Sequence, residues 1–290
     1  MAGKPKTAFI TGGASGIGRA LTIHLLSKGW HVFIADLNMT GAKQLTDEHN
    51  TSATVLHYSE CDTTSWESQL SSFQQALKAL GGRIDCVFPI AGISERKWLP
   101  LPSETNAMKA DEFAKPNLSV IDVDLTAVLY TVSLAVQQFR RQEPVAWTGK
   151  HQFRGKIGLV ASICGFYCIP SVPIYTAAKH AIVGLTRSYG VLLKEEGITV
   201  NAVAPNVVRT AISSGAFYDK LEAEGVLTPM QGLMSAFDEI LQSDCSALVY
   251  ECGPKVGWSL REGAQYLDEE SGKACDMIAQ RSMALHYETK

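Results

Sequence analysis

Short apolar runs alternate along this chain with longer stretches in which apolar residues recur every three to five positions. Thr7-Ala8-Phe9-Ile10-Thr11 reads as a short buried strand, and Ile17, Leu21 and Leu25, backed by Ala20 and Leu26, read as the buried face of a helix ending near Gly29. The pattern then predicts strands at His31 to Asp36, Ala53 to Tyr58 and Asp85 to Phe88, with a helix at Ser65 to Leu80 before the last of these. Beyond a polar stretch come a helix at Leu118 to Arg141, a strand at Lys156 to Ser162, a helix at Tyr175 to Glu196, and strands at Thr199 to Ala204 and Ala247 to Glu251. Strands separated by helices imply an α/β fold with a doubly wound parallel sheet, because parallel neighbours need crossovers and those crossovers are right-handed. Ligands of such sheets collect beyond the C-terminal strand ends, where Gly12, Asp36, Gly92, Ser162 and Pro205 fall. With no internal repeat or low-complexity linker, residues 1–290 are expected to form a single domain.

The first strand runs into Gly12-Gly13-Ala14-Ser15-Gly16-Ile17-Gly18, and a helical pattern starts at once. Glycines there permit a tight turn and close backbone approach, while the helix N-terminus suits a pyrophosphate. The second strand ends in Asp36, where a ribose hydroxyl pair needs an acceptor. A 2′-phosphate would meet that carboxylate, and Leu37 and Asn38 offer no cation to neutralise it, so the expected cofactor is NAD.

A second constellation is Tyr175-Thr176-Ala177-Ala178-Lys179, with Ser162 upstream at the end of an apolar stretch. Positions i and i+4 are helix-surface neighbours, so the phenol and the ammonium rise from one face. A phenol ionises near pH 10, and making it a base near neutrality requires stabilising its anion by on the order of 4 kcal/mol. A nearby cation does this. His180 points away from Tyr175 on the same helix and reads as structural.

Together these residues resemble the short-chain dehydrogenase/reductase family from about Lys6 to about Gly253. Thr11-Gly12-x-x-x-Gly16-x-Gly18 is similar to its nucleotide turn, Cys61-Asp62 to its adenine contact, Ala91-Gly92 to the end of its Asn-Asn-Ala-Gly motif, and Ser162, Tyr175 and Lys179 to its catalytic trio. Asn201-Ala202-Val203-Ala204-Pro205 followed by Thr210 resembles its final strand and the loop that holds the nicotinamide amide. The resemblance implies a Rossmann fold with cofactor contacts at Thr11, Gly12, Ser15, Gly16, Ile17, Gly18, Asp36, Asp62, Ala91, Gly92, Tyr175, Lys179, Pro205, Val208 and Thr210. The stretch from Gly225-Val226-Leu227-Thr228-Pro229 to Tyr266-Leu267-Asp268-Glu269 is most similar to the branch containing NAD-dependent 15-hydroxyprostaglandin dehydrogenase and its fungal relatives.

Three departures from the family stand out. Asp124 occupies the place of an Asn that orders a water beside the Lys; a carboxylate there either holds that water or pairs with Lys179 and opposes ionisation of Tyr175, which makes Asp124 a fourth candidate catalytic residue. Pro89-Ile90 replace two Asn residues, and Asn206 replaces a Gly. The polar stretch 94–117 is longer than usual and is expected to border the substrate mouth, residues 207–225 resemble the family's substrate lid with Ala216-Phe217-Tyr218 as apolar contacts, and 254–290 form a C-terminal tail.

At 46% hydrophobic, 19% charged and net −3, the chain has enough apolar content for one large core and no basic stripe for nucleic acid. The nucleotide turn begins by Thr11, the apolar stretch from Ile157 to Ile169 is too short to span a bilayer, and Tyr287-Glu288-Thr289-Lys290 carry no lipidation signal, so no membrane partner and a cytoplasmic location are expected. Seven cysteines without an export signal read as reduced thiols; Cys164 and Cys168 lack zinc-knuckle spacing, and no metal is expected. Apolar residues beyond one stripe on the two long helices, among them Val132, Val136, Leu185 and Leu192, point to a homodimer or homotetramer.

The expected activity is NAD-dependent interconversion of a lipophilic secondary alcohol and its ketone, with Tyr175 as proton acceptor, Lys179 as its cationic neighbour and Ser162 as hydrogen-bond donor to the oxygen. Two alternatives stay open: a cofactor-assisted cyclisation or isomerisation on the same fold, suggested by Asp124 and Pro89-Ile90, and a catalytically silent nucleotide-binding protein.

Overall fold

A computed structural model describes residues 4–147, 151–255 and 257–288; Thr289 and Lys290 of the tail lie outside the described residues. The chain runs β1 (Thr7–Thr11), α1 (Gly16–Ser27), β2 (His31–Asp36), α2 (Met39–His49), β3 (Leu56–Glu60), α3 (Trp66–Ala79), β4 (Cys86–Pro89) and α4 (Pro102–Ala107). It continues with α5 (Ser119–Ile121), a π-helical turn (Asp122–Thr126), α6 (Ala127–Arg140), a small hairpin β5 (Val145–Ala146) and β6 (Gln152–Phe153), β7 (Gly155–Val160) and α7 (Pro173–Leu193). Then follow β8 (Ile198–Pro205), α8 (Gly215–Ala223), α9 (Met230–Gln242), β9 (Val249–Gly253), β10 (Gly257–Leu260) and α10 (Glu269–Ser282).

The main sheet has the order β10-β9-β8-β7-β4-β1-β2-β3, parallel throughout except for the antiparallel pair β9 and β10. This is the doubly wound Rossmann arrangement that the alternating pattern implies. Side chains alternate across the strands: Phe9, Phe33 and Val87 enter one core layer with α3, α6 and α7, whereas Ala8, Ile10, Ile34 and Phe88 enter the other with α1 and α9. Every residue of β8 is buried, as expected of a central parallel strand covered on both faces.

Several boundaries differ from the sequence expectation for identifiable reasons. The third strand starts at Leu56 rather than Ala53, because the Asn50 side chain accepts from the Val55 and Leu56 amides at 3.0 Å each and folds the intervening residues into a turn. Asp85 precedes β4, its carboxylate accepting from the Thr7 amide at 2.9 Å and pairing with Arg83. The long helix predicted from Leu118 is interrupted by the π turn before α6, and α7 begins two residues early, with Pro173 in the first turn, where its missing N–H costs nothing. The last predicted strand shifts to Val249–Gly253, after Ala247 adopts a left-handed φ of 69°. Val132 and Val136 belong to the chain's own core; the apolar residues that α6 and α7 expose are Leu129 and Val191. Among the described residues one helical run, Ser119–Arg140, is apolar and long enough to cross a membrane, yet half of it is packed inside the protein.

Candidate active site

The turn after β1 is shaped by close approach. Gly12 has φ +69°, and a Cβ on it would lie 2.8 Å from the Ala91 backbone, while a Cβ on Gly18 would lie 2.0 Å from the Gly12 carbonyl oxygen. The turn therefore packs against the end of β4 and the first turn of α1 at once, leaving a backbone cradle that only glycine lines. Ser15 takes the N-cap position of α1 without a side-chain capping bond. Thr11 steadies the neighbouring strand end, its Oγ1 accepting from the Ile90 and Ala91 amides at 3.2 and 3.4 Å.

Asp36 lies at the end of β2, where Oδ2 accepts from the Ala14 amide at 2.9 Å and Oδ1 from the Asn38 amide at 2.8 Å. Its carboxylate thus holds the glycine turn, and each oxygen keeps a second lone pair for a hydroxyl donor. Asp62 follows β3 as an exposed loop residue whose Oδ1 accepts from the Thr64 amide at 2.9 Å. These groups fit a dinucleotide: a pyrophosphate at the start of α1, a ribose at Asp36 and an adenine near Asp62.

Ser162 stands at the exit of β7 and Tyr175 and Lys179 on the first turns of α7. The Ser162 hydroxyl, which accepts from the Cys164 amide at 3.2 Å, is near enough to favour ionisation of the phenol, and the Lys179 Nζ lies 5.2 Å from the Tyr175 ring centre. Gly165 permits this convergence, since a Cβ there would lie 2.9 Å from the Lys179 carbonyl oxygen. Lys179 Nζ also donates to the Val160 carbonyl at 3.3 Å and forms an ion pair with Asp124 Oδ2 at 3.0 Å. Asp124 is fully buried on the π turn, whose wider winding carries it inward, and its Oδ1 accepts from the Ile93 amide at 2.8 Å.

Tyr175 is held above its ordinary value by burial, the largest influence; Lys179 and Ser162 favour its ionised form, and the charge of Asp124 opposes them. Burial alone would lower Lys179, but the electrostatic pull of its neighbours, among them the paired carboxylate of Asp124, outweighs that and raises it. The Tyr175 phenol therefore stands beside a cation that is itself paired with Asp124.

Residues 6–220 match the short chain dehydrogenase family. The chain belongs to the short-chain dehydrogenase/reductase family. Among curated relatives, the short-chain dehydrogenase/reductase ATR7 of Stachybotrys chlorohalonatus is 32% identical over 222 residues, covering 77% of this chain and 62% of that protein. The NADP-dependent dehydrogenase M3 of a Phoma species is 34% identical over 184 residues, covering 63% and 53%. The chain thus spans less than two thirds of the length of these two relatives. Among solved structures, a variant of actinorhodin polyketide ketoreductase with NADPH superposes with a TM-score of 0.71 at 20% identity, covering 89% of this chain and 99% of that one. A 3-ketoacyl-(acyl-carrier-protein) reductase from Brucella melitensis complexed with NADH gives 0.68 at 19% identity, covering 87% and 98%.

Against the pattern of this family, Pro89 closes β4 without a donor, and the Thr11 hydroxyl takes up the amides that follow it. Asn206 is tied into the β8 exit, its amide donating to the Cys252 carbonyl and its Oδ1 accepting from the Val207 amide. Pro205 ends β8, Val208 is buried, and Thr210 lies against Gly16, where an added Cβ would meet it at 3.1 Å. In the 207–225 segment, α8 exposes Phe217 but turns Tyr218 inward, its hydroxyl 3.2 Å from Thr210 Oγ1. Tyr218 therefore ties α8 to Thr210, which corrects the reading that placed it among apolar substrate contacts. His180 is exposed with Nδ1 2.9 Å from the Thr176 carbonyl; Cys164 is buried beside Ser162, and Cys168 is exposed.

A cavity of about 880 Å³ lies between α1, α9 and residues Arg209 to Ala211, and the Ser162, Tyr175 and Lys179 side chains do not line it. One residue of the site escapes sequence reasoning. Glu95, just past Gly92, accepts the Tyr175 amide on Oε2 at 2.8 Å, and no local spacing signals a contact across eighty residues.

Proposed function

We propose that the chain is an NAD-dependent oxidoreductase that interconverts a lipophilic secondary alcohol and its ketone. The observation that carries this reading is the convergence of Ser162, Tyr175 and Lys179 at the strand ends that also hold the glycine turn and Asp36. A nicotinamide dinucleotide bound at that turn supplies the hydride chemistry. Tyr175 exchanges the proton with the substrate oxygen, Ser162 donates a hydrogen bond to that oxygen, and Lys179 keeps positive charge beside the phenol and is placed to hold the nicotinamide ribose. A phenol held above its ordinary value is protonated at neutral pH, which suits proton donation to a ketone; alcohol oxidation needs alkaline conditions.

Preference for NAD over NADP is supported by Asp36, whose two oxygens occupy the β2 end beside the uncharged Leu37 and Asn38. A relative named NADP-dependent makes this a point for direct measurement. Exposed apolar residues in the two segments read as bordering the substrate, Phe217 in 207–225 and Leu99 and Leu101 in 94–117, support a lipophilic substrate. The resemblance of the stretch from Gly225 to Glu269 to the 15-hydroxyprostaglandin dehydrogenase branch, read from the sequence, favours an oxygenated lipid within that class.

The test is to incubate the pure protein with NADH or NADPH and a panel of lipophilic ketones, and with NAD or NADP and the matching alcohols, following reduced-nicotinamide absorbance. Turnover with the NAD couple is expected. Substrate conversion without net cofactor change would replace this reading with a cyclase or isomerase, and cofactor binding without any conversion would replace it with a nucleotide-binding role.

A further inference from the structure

The first turn of α7 carries Tyr175, yet it has no cap of its own. Val172 at the N-cap position has no side-chain acceptor, Pro173 has no N–H, and the Thr176 amide is satisfied by the Val172 carbonyl. The Tyr175 amide belongs to the set of N-terminal donors that no helix satisfies internally. Glu95 fills this vacancy from outside the helix, its Oε2 2.8 Å from the Tyr175 nitrogen, and its negative charge stands at the positive end of the 21-residue α7. Glu95 Oε1 is buried and takes no hydrogen bond from a described residue.

The segment that delivers Glu95 is held close by. Ile93, two residues earlier, donates its amide to Asp124 Oδ1 at 2.8 Å, so Ile93 to Glu95 is tied once to the π turn and once to α7. The strand end before it lacks the family's two amide side chains, because Pro89 and Ile90 stand there. Just beyond, the Asn117 amide donates to the Trp98 carbonyl at 3.0 Å and closes the 94–117 segment into a loop whose near end is Glu95.

Resting on the oxidoreductase reading above, we infer that Glu95 is a positioning residue: it caps α7 in trans and fixes the backbone of Tyr175, coupling the loop at the substrate mouth to the proton-transfer group. It touches neither substrate nor cofactor in this role. A carboxylate and an amide carbonyl both accept a backbone N–H, whereas a methyl group cannot, and this difference separates capping from mere presence of a side chain.

The experiment compares Glu95→Ala and Glu95→Gln in the full chain by two readouts. Hydrogen exchange of the first turn of α7, measured without cofactor, is expected to quicken about fivefold to tenfold in Glu95→Ala and to return most of the way in Glu95→Gln, as loss and retention of a cap predict. In turnover, Glu95→Ala is expected to lose about tenfold in kcat with little change in the KM for cofactor, and Glu95→Gln to recover most of that loss. Unchanged exchange in Glu95→Ala, or equal effects of Ala and Gln in both readouts, overturns the inference. Because the exchange readout needs no turnover, a protein in which the cap behaves as expected but no alcohol or ketone reacts would retain the positioning role and refute the oxidoreductase reading instead.

Discussion

Asp124 Oδ2 lies 3.0 Å from Lys179 Nζ, with both side chains closed to solvent, so the cation nearest the Tyr175 phenol is already matched by an anion. A buried pair of this kind gains little net stability, because desolvation offsets the attraction, but it fixes where charge resides. Its effect is on titration. Asp124→Asn removes a negative charge that, with burial, holds Tyr175 above its ordinary value, so the phenol should ionise at lower pH. The rising limb of alcohol oxidation and the falling limb of ketone reduction should both move down by about one pH unit. The Asn carbonyl can still accept from the Ile93 amide, and Tyr175→Phe should abolish turnover in either background. Paired pH profiles of wild type and Asp124→Asn check this, and an inactive Asp124→Asn beside an active Tyr175→Phe would assign proton transfer to Asp124.

Asp36 holds the Ala14 and Asn38 amides, and in the proposed function its carboxylate also receives the adenosine ribose. Replacing Asp36 by Ala with Leu37→Arg should weaken NAD binding about tenfold and improve NADP binding. Titration of both cofactors by fluorescence decides the matter. The gain for NADP is the informative half, since loosening the turn alone cannot strengthen binding, and a wild type that already prefers NADP would refute the assignment.

Lys156 offers a stability test remote from the site. Buried at the start of β7, it donates to the Ser243 carbonyl and lies over the Phe153 ring at 4.3 Å. Burial, the largest influence, lowers its pKa from 10.5 to about 8. The folded state therefore disfavours the charged form relative to the unfolded chain, so the Lys156 contribution to stability improves as pH rises from about 8 toward 10.5 and is least favourable below that window. Lys156→Met should lack this component, and its stability relative to wild type should be greatest near neutrality and decline toward pH 10. Denaturant unfolding of both proteins across that range measures it; a difference independent of pH would show that Lys156 titrates normally.

Leu129, Val132, Val136, Leu185 and Tyr189 line a shallow groove of about 280 Å³ between α6 and α7, where Leu129 is exposed. A second copy of the chain covering this face should give a homodimer or tetramer, and Leu129→Glu should reduce it to monomer. Multi-angle light scattering at micromolar concentration checks the mass, and a wild-type value near 31.4 kDa would contradict self-association.

The parts of the fold legible in the sequence are those written in local spacing. Leu21 and Leu25 of α1 repeat on a helical face, the glycines at 12, 16 and 18 mark a turn, and Tyr175 and Lys179 stand one helical turn apart, all of them found where the pattern put them. Asp124 was visible as an oddity, but whether it would hold water or Lys179 depended on the π turn, which nothing in Asp122-Val123-Asp124-Leu125-Thr126 announces. Glu95 and Tyr218 act through partners chosen by tertiary packing, and strand β10 pairs backbone to backbone across a tight connection without a clean alternation of its own.

That added strand has a consequence for how copies of the protein can meet. β10 pairs antiparallel with β9, and its Trp258 packs edge-on against Tyr250 at 5.2 Å, so the flank of the parallel sheet ends in a four-residue margin with a Gly at its start. At the opposite flank β3 spans five residues and places His57 and the exposed Glu60 along its length. Neither border offers the long, flat, apolar ladder on which a foreign strand could template, so recruitment of another chain through sheet extension, the usual route to fibres, is disfavoured at both ends.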